Sequence, residues 1–418
     1  MPPDRRRRST LRRPRAATAT RPPAEDLTGR VVELDIGAVA HGGHCVARWD
    51  GRVVFVRHTL PGERVRAVVT EGDADSRFLR ADAVEVLRPV EGRVEQPCPY
   101  ARPGLCGGCD FQHATPELQR ELLGSVVQEQ LSRLGGVERD VVVEAVEPAP
   151  LGWRTRIGWT VGADGRAGLR RHRSHDVVAV DRCLIAAPGL PDVTGRTWRA
   201  GHLDAAVGSS GDVAVVADGT LVEGRARLRE QVNGRELRVS ASGFWQVHPR
   251  AAQTLVDAVL ALARPAPGEH CADLYSGVGL FSVFLAEAIG THGSVVSVES
   301  DAVAVSDARR NVHDLPQVRI VAGRVDEVLA EDARTGDVAP ALDVVVLDPP
   351  RTGAKRAVVE QIVARRPSRV VYVACDPAAL ARDVATFARL GYGLTGLRAF
   401  DLFPMTAHVE CVALLEPV

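Results

Sequence analysis

The sequence predicts an α/β protein. Its C-terminal part reads as a doubly wound, mostly parallel sheet, preceded by a small OB-like β-barrel and a Cys-rich central segment. Three observations lead there. From about Ser242 onward the apolar runs "HCADLY", "GSVVSVE", "QVRIVAG", "LDVVVLD" and "RVVYVAC" alternate with helical patterns. Near-continuous apolar runs of that length are strands covered on both faces. Between Leu27 and Pro89, short β-branched runs are broken by "HGGH", "WDGR" and "LPGE", which is the pattern of a small barrel. Between these two regions, Cys98, Cys106 and Cys109 crowd into "PCPYARPGLCGGCDFQH" (residues 97–113), a Gly/Pro-rich loop.

The chain divides in order. Residues 1–25 are rich in Arg, Pro, Ala and Thr and are expected to be disordered; the arginines either hold phosphates or are simply solvated. Residues 26–89 form the barrel. Residues 90–240 form the central Cys-rich part. Within it Thr115–Leu134 reads as a helix, with Thr115 as N-cap, Pro116 at the first position and Gly135-Gly136 as the stop. Strand-like segments with basic turns follow, among them "RAGLRRHR" (Arg166–Arg173) and "VDRCLI" with Cys183. Residues 241–418 carry the doubly wound sheet.

At 418 residues the chain is long enough for two or three domains. The 52 basic and 53 acidic residues leave a net charge of −1, so overall charge does not point to nucleic acid, although the charge is unevenly spread. No apolar run reaches membrane length, and the N-terminus has no apolar h-region. A cytoplasmic monomer with no membrane association is expected. Without an export signal, crowded cysteines point to metal binding or catalysis rather than disulfides.

"DLYSGVG" (Asp273–Gly279) follows a strand and precedes an apolar helix. Its two glycines let a ligand approach the backbone closely. Ser282 stands where a full three-glycine dinucleotide fingerprint would have its last glycine. Glu299 ends the next strand, 22 positions after Gly277, where a carboxylate can accept from ribose hydroxyls. Asp326 follows the third strand and Asp348 ends the fourth. With no phosphate-binding Lys nearby, a cationic nucleoside such as S-adenosylmethionine fits better than a pyrophosphate.

Asp348-Pro349-Pro350-Arg351 is similar to the motif of amino-group methyltransferases, but Arg351 replaces their stacking aromatic; a rigid Pro-Pro turn is the plain alternative. Arg351 is suited to a phosphate or a pyrimidine carbonyl. Cys375, in "VVYVACDP", sits at the tip of the fifth strand, and Glu410, in "AHVECVALLE", near the start of a last one. A lone Cys is most often a small buried hydrophobe. Beside a methyl donor, however, a thiol and a carboxylate suggest addition to C6 of a pyrimidine, methylation at C5 and proton removal.

These motifs resemble the uracil-C5 RNA methyltransferases that form 5-methyluridine, in the branch with a TRAM domain and an iron–sulfur cluster. The resemblance covers nearly everything after the arginine-rich segment. It implies a class I S-adenosylmethionine-dependent methyltransferase fold with Cys375 as nucleophile and Glu410 as base. It implies donor contacts by Gln246 (in "SGFWQVHP"), Tyr275, Gly277, Glu299 and Asp348, and more weakly by Asp326. His248 and Leu280 depart from the family pattern. The four thiols of Cys98, Cys106, Cys109 and Cys183 suit a [4Fe–4S] cluster or zinc, with His113 as a possible zinc-site substitute for Cys183. The resemblance favours the cluster.

Cys45, Cys271 and Cys411 read as core. The resemblance also implies that helix 115–134 packs on the catalytic part and that 23S ribosomal RNA is preferred over transfer RNA as substrate, with the target base leaving its stack. Two other readings stay open: an amino-group nucleic-acid methyltransferase, and a non-catalytic iron–sulfur RNA-binding protein.

Overall fold

The structure, a computed structural model, describes residues 24–335 and 341–418. The arginine-rich segment lies outside them, apart from its last two residues.

The first element is a closed barrel of β1 (Val31–Ala40), β2 (His44–Trp49), β3 (Arg52–Arg57), β4 (Arg64–Glu71) and β5 (Phe78–Arg88), in the order β1-β2-β3-β5-β4 with β4 returning to β1. Strand alternation builds it: Val65, Ala67 and Val69 of β4 and Leu79, Ala81 and Ala83 of β5 point inward and are buried, while their neighbours face out. Closure leaves no free edge to pair with another chain. The β1–β2 turn, His41–Gly43, runs through two glycines with φ of +95° and +77°.

The Cys-rich loop then leads to α1 (Pro116–Gln130). Thr115 caps it by accepting the Leu118 N–H at 3.4 Å, and Pro116 occupies the first turn. The regular helix ends earlier than the sequence suggests. Leu131–Gly135 widens into a π-turn, closed by Gly136 with φ +66°. The widening brings Gly135 onto α7 (Pro377–Arg389), where an added Cβ would lie 3.4 Å from the Ala381 carbonyl.

Next in the chain come β6 (Val143–Ala145), β7 (Arg156–Val161), β8 (Ala167–Arg170), β9 (Val177–Ala179), β10 (His202–Val207), β11 (Val213–Ala217) and β12 (Thr220–Gly224). All but β6 form a sheet in the order β12-β11-β10-β7-β8-β9. A hairpin, β13 (Arg227–Val232) and β14 (Arg235–Ser240), follows. Asp307 ties this hairpin to the C-terminal half, accepting from Arg227 Nε at 2.9 Å and the Ser240 N–H at 2.7 Å.

The C-terminal half runs α2 (Ala251–Ala263), β15 (His270–Leu274), α3 (Leu280–Ile289), β16 (Ser294–Glu299), α4 (Ala302–Asn311), β17 (Val318–Ala322), α5 (Val325–Thr335), β18 (Val344–Leu347), α6 (Lys355–Ala364), β19 (Arg369–Ala374), α7, β20 (Tyr392–Asp401) and β21 (Glu410–Pro417). The sheet order is β17-β16-β15-β18-β19-β21-β20-β6. The first five strands are parallel, as the apolar runs predict. β21 then enters antiparallel between β19 and β20, and β6 pairs with β20 at the edge. The strand order reverses between β15 and β18, so the crevice at their C-terminal ends is where an open α/β sheet binds its ligand.

One face of this sheet shares a continuous apolar core with α1, α7 and the barrel. Val127, Leu131, Leu380, Phe387 and Tyr372 all lie in it at 1% exposure or less. At about 1.5–3 kcal/mol per buried large side chain, this junction is a fused core rather than a linker. Among the described residues no helix is long and apolar enough to cross a membrane.

Candidate active site

β15 delivers the glycine turn to the crevice. Tyr275 has φ +63°, a left-handed conformation that is strained for an aromatic residue, and Gly277 (φ +55°) and Gly279 (φ +85°) continue the bend into α3. Around Gly277 there is nothing within 4 Å of an added Cβ, so a ligand can lie against its backbone. Glu299 organises the turn from β16. Its Oε2 accepts the Gly277 N–H at 2.9 Å, and its Oε1 accepts the Ser300 and Asp301 N–H groups, each at 2.7 Å. Three of the carboxylate's four lone-pair sites are thereby used, leaving one on Oε2 for a ligand hydroxyl.

Asp326 begins α5 and pairs with Arg324 at 2.8 Å; its charge reaches the Tyr275 hydroxyl. Gln246 is half-buried on the turn between β14 and α2, flanked by Trp245 in the core and by Val247, whose carbonyl accepts from Thr155. His248 is committed to structure. Its Nε2 donates to the Pro148 carbonyl at 3.1 Å, its Nδ1 accepts the Arg250 N–H, and its ring stacks on Trp153.

Beneath the turn the pocket is acidic. Asp273 is fully buried. Ser282 Oγ donates to its Oδ2 at 2.5 Å, while Oδ1 has no partner among the described residues. Burial, with Glu299 adding, pushes Asp273 up to about 7. Asp348, at the end of β18, is raised by its buried surroundings and by Asp273. Glu410, at the start of β21 and 3% exposed, is raised well above the carboxylate range by burial and by Asp348, with Arg351 partly offsetting.

Cys375 lies beside them at the tip of β19, half-buried. Burial pushes its thiol up to about 11. Glu410 and Asp348 add to this, Arg351 opposes it, and Asp376 adds again. The thiol and both carboxylates therefore share one electrostatic environment, which a cation entering the pocket would relieve. Cys411, the neighbour of Glu410, is fully buried, as are Cys45 and Cys271 in their own cores.

Two further groups, Asp383 and His408, were not assigned to the site from the sequence. Asp383 on α7 anchors the Pro-Pro turn: its Oδ2 accepts the Ala354 N–H at 2.7 Å and the Tyr372 hydroxyl at 2.8 Å. Gly353, with φ +78°, would place a Cβ 2.6 Å from that oxygen. Arg351, so placed, reaches His408 Nε2 at 3.4 Å. Because guanidinium only donates, His408 Nε2 accepts; the ring is neutral, pushed down to about 4 by burial and then by Arg351.

The loop between β20 and β21 is shaped from outside the C-terminal half. Met405 is left-handed (φ +72°). Its carbonyl accepts the N–H groups of Asp110 (2.8 Å) and Phe111 (3.0 Å), and its own N–H donates to Gln119 Oε1 at 2.9 Å. Asp110 Oδ2 takes the Ala407 N–H at 3.0 Å, and Arg57 of the barrel stands 3.5 Å from Oδ1.

Cys98, Cys106, Cys109 and Cys183 line one cavity of about 490 Å³, together with Arg154, Arg170, Arg171, His172 and Arg173. Gly107 fixes the turn between Cys106 and Cys109. Its N–H donates to the Arg170 carbonyl at 3.0 Å, and an added Cβ would fall 2.6 Å from the His172 backbone. Burial pushes Cys106, Cys109 and Cys183 up, Cys109 to about 12. The half-buried Arg154 is close enough for its charge to feel all three. His113 is not at this cavity: it faces the barrel, with Nε2 donating to the Thr59 carbonyl at 3.2 Å. Among the described residues no three His, Cys, Asp or Glu form a group that could hold a metal ion.

The tRNA (uracil-5-)-methyltransferase family model matches residues 225–418, and the TRAM domain model matches residues 25–84. A Streptomyces avermitilis protein described as an uncharacterized RNA methyltransferase is 48% identical over 93% of this chain and 99% of its own length. A 23S rRNA (uracil(1939)-C(5))-methyltransferase of Alkalilimnicola ehrlichii is 33% identical over 92% of this chain and 96% of its own. Among solved structures, a Pyrococcus abyssi tRNA (uracil-54, C5)-methyltransferase in complex with S-adenosyl-L-homocysteine matches with a TM-score of 0.68 at 24% identity, over 91% of this chain and 99% of that one. That likeness is one of fold.

Proposed function

The chain belongs to the RNA (uracil-5-)-methyltransferase family, and from that premise we propose that it forms 5-methyluridine in 23S ribosomal RNA with S-adenosylmethionine as donor. The observation that carries the proposal is the meeting of Cys375, Glu410 and Asp348 at the tips of three adjacent strands beside the glycine turn.

The donor lies over Gly277, with its ribose on the free lone pair of Glu299 and its sulfonium towards Asp273 and Asp348. Gln246, Tyr275 and Asp326 border it. Its positive charge lowers the thiol and the carboxylates towards ionisation, and the thiol proton passes to water. Cys375 Sγ bonds to uracil C6, and the C5–C6 π pair moves towards C5 and O4, where Arg351 can hold the carbonyl. C5 takes the methyl group and S-adenosylhomocysteine leaves. Glu410 removes the C5 proton, the double bond re-forms and the C6–S bond breaks.

The target uridine must be unstacked to reach Cys375. The basic residues Arg170, Arg171 and Arg173, with Arg80, which lies over the Phe55 and Phe78 rings of the barrel, suit the flanking strand.

The four cavity cysteines would hold a [4Fe–4S] cluster. The donor set fits: four thiols around a cavity wider than a single ion needs, with Arg154 matching the negative charge of a thiolate-ligated cluster. Methyl transfer moves no net electrons, so the cluster would supply cross-linking of the Cys loop to the loop after β9 rather than redox chemistry. Transfer RNA is the second reading, favoured by the family model that matches residues 225–418.

The test is incubation with donor and 5-fluorouridine-containing 23S or transfer RNA fragments, followed by a denaturing gel. Fluorine cannot leave as a proton, so a covalent adduct should accumulate with wild type and be absent with Cys375→Ala. Methylated product from Cys375→Ala would refute the mechanism. An adduct on transfer RNA alone would reassign the substrate.

A further inference from the structure

We propose that the barrel completes the catalytic site. His41, on the β1–β2 turn, is a positioning residue that holds Asp376 and so tunes the reactivity of the adjacent Cys375 thiol. The inference rests on the reading of Cys375 as nucleophile.

His41 Nε2 stands 3.3 Å from Asp376 Oδ2. The other oxygen of that carboxylate, Oδ1, accepts the Ala379 N–H at 2.7 Å and caps α7. Asp376 is thus divided between its own helix and the barrel. The turn that brings His41 there is seated closely. Gly43 is left-handed, and an added Cβ would fall 2.6 Å from Ala407 Cβ and 2.9 Å from Asp110 Cβ. No larger residue fits between the barrel, the Cys loop and the loop leading to Glu410. The Arg57–Asp110 pair fastens the same junction from the next barrel strands.

The charges around the thiol give the contact its consequence. Glu410, Asp348 and Asp376 disfavour the thiolate and Arg351 favours it. Burial alone would raise Asp376; the His41 contact and the Ala379 N–H hold it below its ordinary value, with Arg382 helping. The His41 contact therefore offsets one of the three carboxylates facing Cys375. His44 of the barrel and His408 also lie within reach of the His41 charge. Seating of the barrel and readiness of the nucleophile become one event, so a chain whose barrel is displaced would carry a less reactive thiol.

The experiment needs neither RNA nor donor. Full-length protein is alkylated with iodoacetamide over a pH series, and modification of Cys375 is followed by mass spectrometry of its peptide. Wild type is compared with His41→Ala, which removes the contact, and His41→Lys, which keeps a cation there. Alkylation of His41→Ala should be about two- to fivefold slower, the size expected of a partly exposed ion pair. His41→Lys, which keeps a cation beside Asp376, should stay as fast as wild type across the series. Equal rates for His41→Ala and wild type at every pH overturn the proposal. So does a His41→Lys variant as slow as His41→Ala, because packing alone would then explain the loss. Failure of Cys375 as nucleophile shows elsewhere, as methylation by Cys375→Ala, and leaves these rates readable.

Discussion

Asp273→Asn should change the pH dependence of stability in a direction that the structure fixes. A buried carboxylate raised from 3.8 to about 7 binds a proton more readily folded than unfolded. The penalty of ionising it is absent below the unfolded value, grows as the pH rises from about 4 to about 7, and is constant above. At 1.36 kcal/mol per pKa unit, the full penalty is about 4 kcal/mol, of which about 1.5–2 kcal/mol is already present at pH 5. Asparagine carries none of it.

Asparagine brings its own cost. Its amide would place donors where Oδ1 now has no partner, costing about 1–3 kcal/mol at every pH. The stability gap between variant and wild type should therefore move by about 2–3 kcal/mol in the variant's favour between pH 5 and pH 8. Urea unfolding of both proteins at several pH values, followed by a signal from the C-terminal sheet, measures it. Parallel curves across that range would refute the assignment of Asp273 as an ionisable group held in a dry pocket. The variant should also bind S-adenosylmethionine more weakly at pH 8, where wild type offers a negative charge to the sulfonium.

Glu410→Gln should lower turnover about 10²–10⁴-fold while leaving methyl transfer intact, so radiolabel from the donor should appear in a covalent protein–RNA band. Asp383→Ala leaves the Ala354 N–H and the Tyr372 hydroxyl without their acceptor; a loss of about 2–6 kcal/mol is expected in urea unfolding. If the four cysteines hold the proposed cluster, its removal by oxidation and chelation should speed amide exchange at Asp110, Phe111 and Ala407, because Cys109 would no longer be tied down beside them; unchanged exchange would separate the cavity from the β20–β21 loop. Arg171→Ala with Arg173→Ala should weaken RNA binding on all sequences and lower the salt slope by about one for each phosphate that the protein no longer neutralises.

The parallel strands were legible because each is an apolar run, and Glu299, Asp348 and Cys375 fall in one crevice because each ends or follows such a run at the same edge of the sheet. The antiparallel end was not. β20, "YGLTGLRAFD", is broken by Gly393 and Gly396 and shows no clean period. β6 is three residues long, "VEA", too short for any pattern, and it pairs with a strand some 250 positions later. Helix α1 announced itself through Thr115 and Pro116, but the π-turn after Gln130 answers to Ala381, which local sequence does not contain. His41 reads as a turn residue in "HGGH", and Asp383 as one more polar position on a helix. Their roles depend on partners brought close only by folding. His408 did carry a signal: it lies two positions before Glu410.

Met405 takes its shape from Asp110, Phe111 and Gln119, the last of them 286 positions earlier in the chain. Synthesis proceeds from the N-terminus, and domains generally fold in that order. The residues that hold this loop are therefore synthesised long before the residues they hold, and their own bonds to Met405 close only when the C-terminal half arrives. β21, which carries Glu410, pairs with both β19 and β20, so the same strand that brings this carboxylate to the crevice also closes the gap in the sheet, and a nascent chain stalled before Phe403 would lack both.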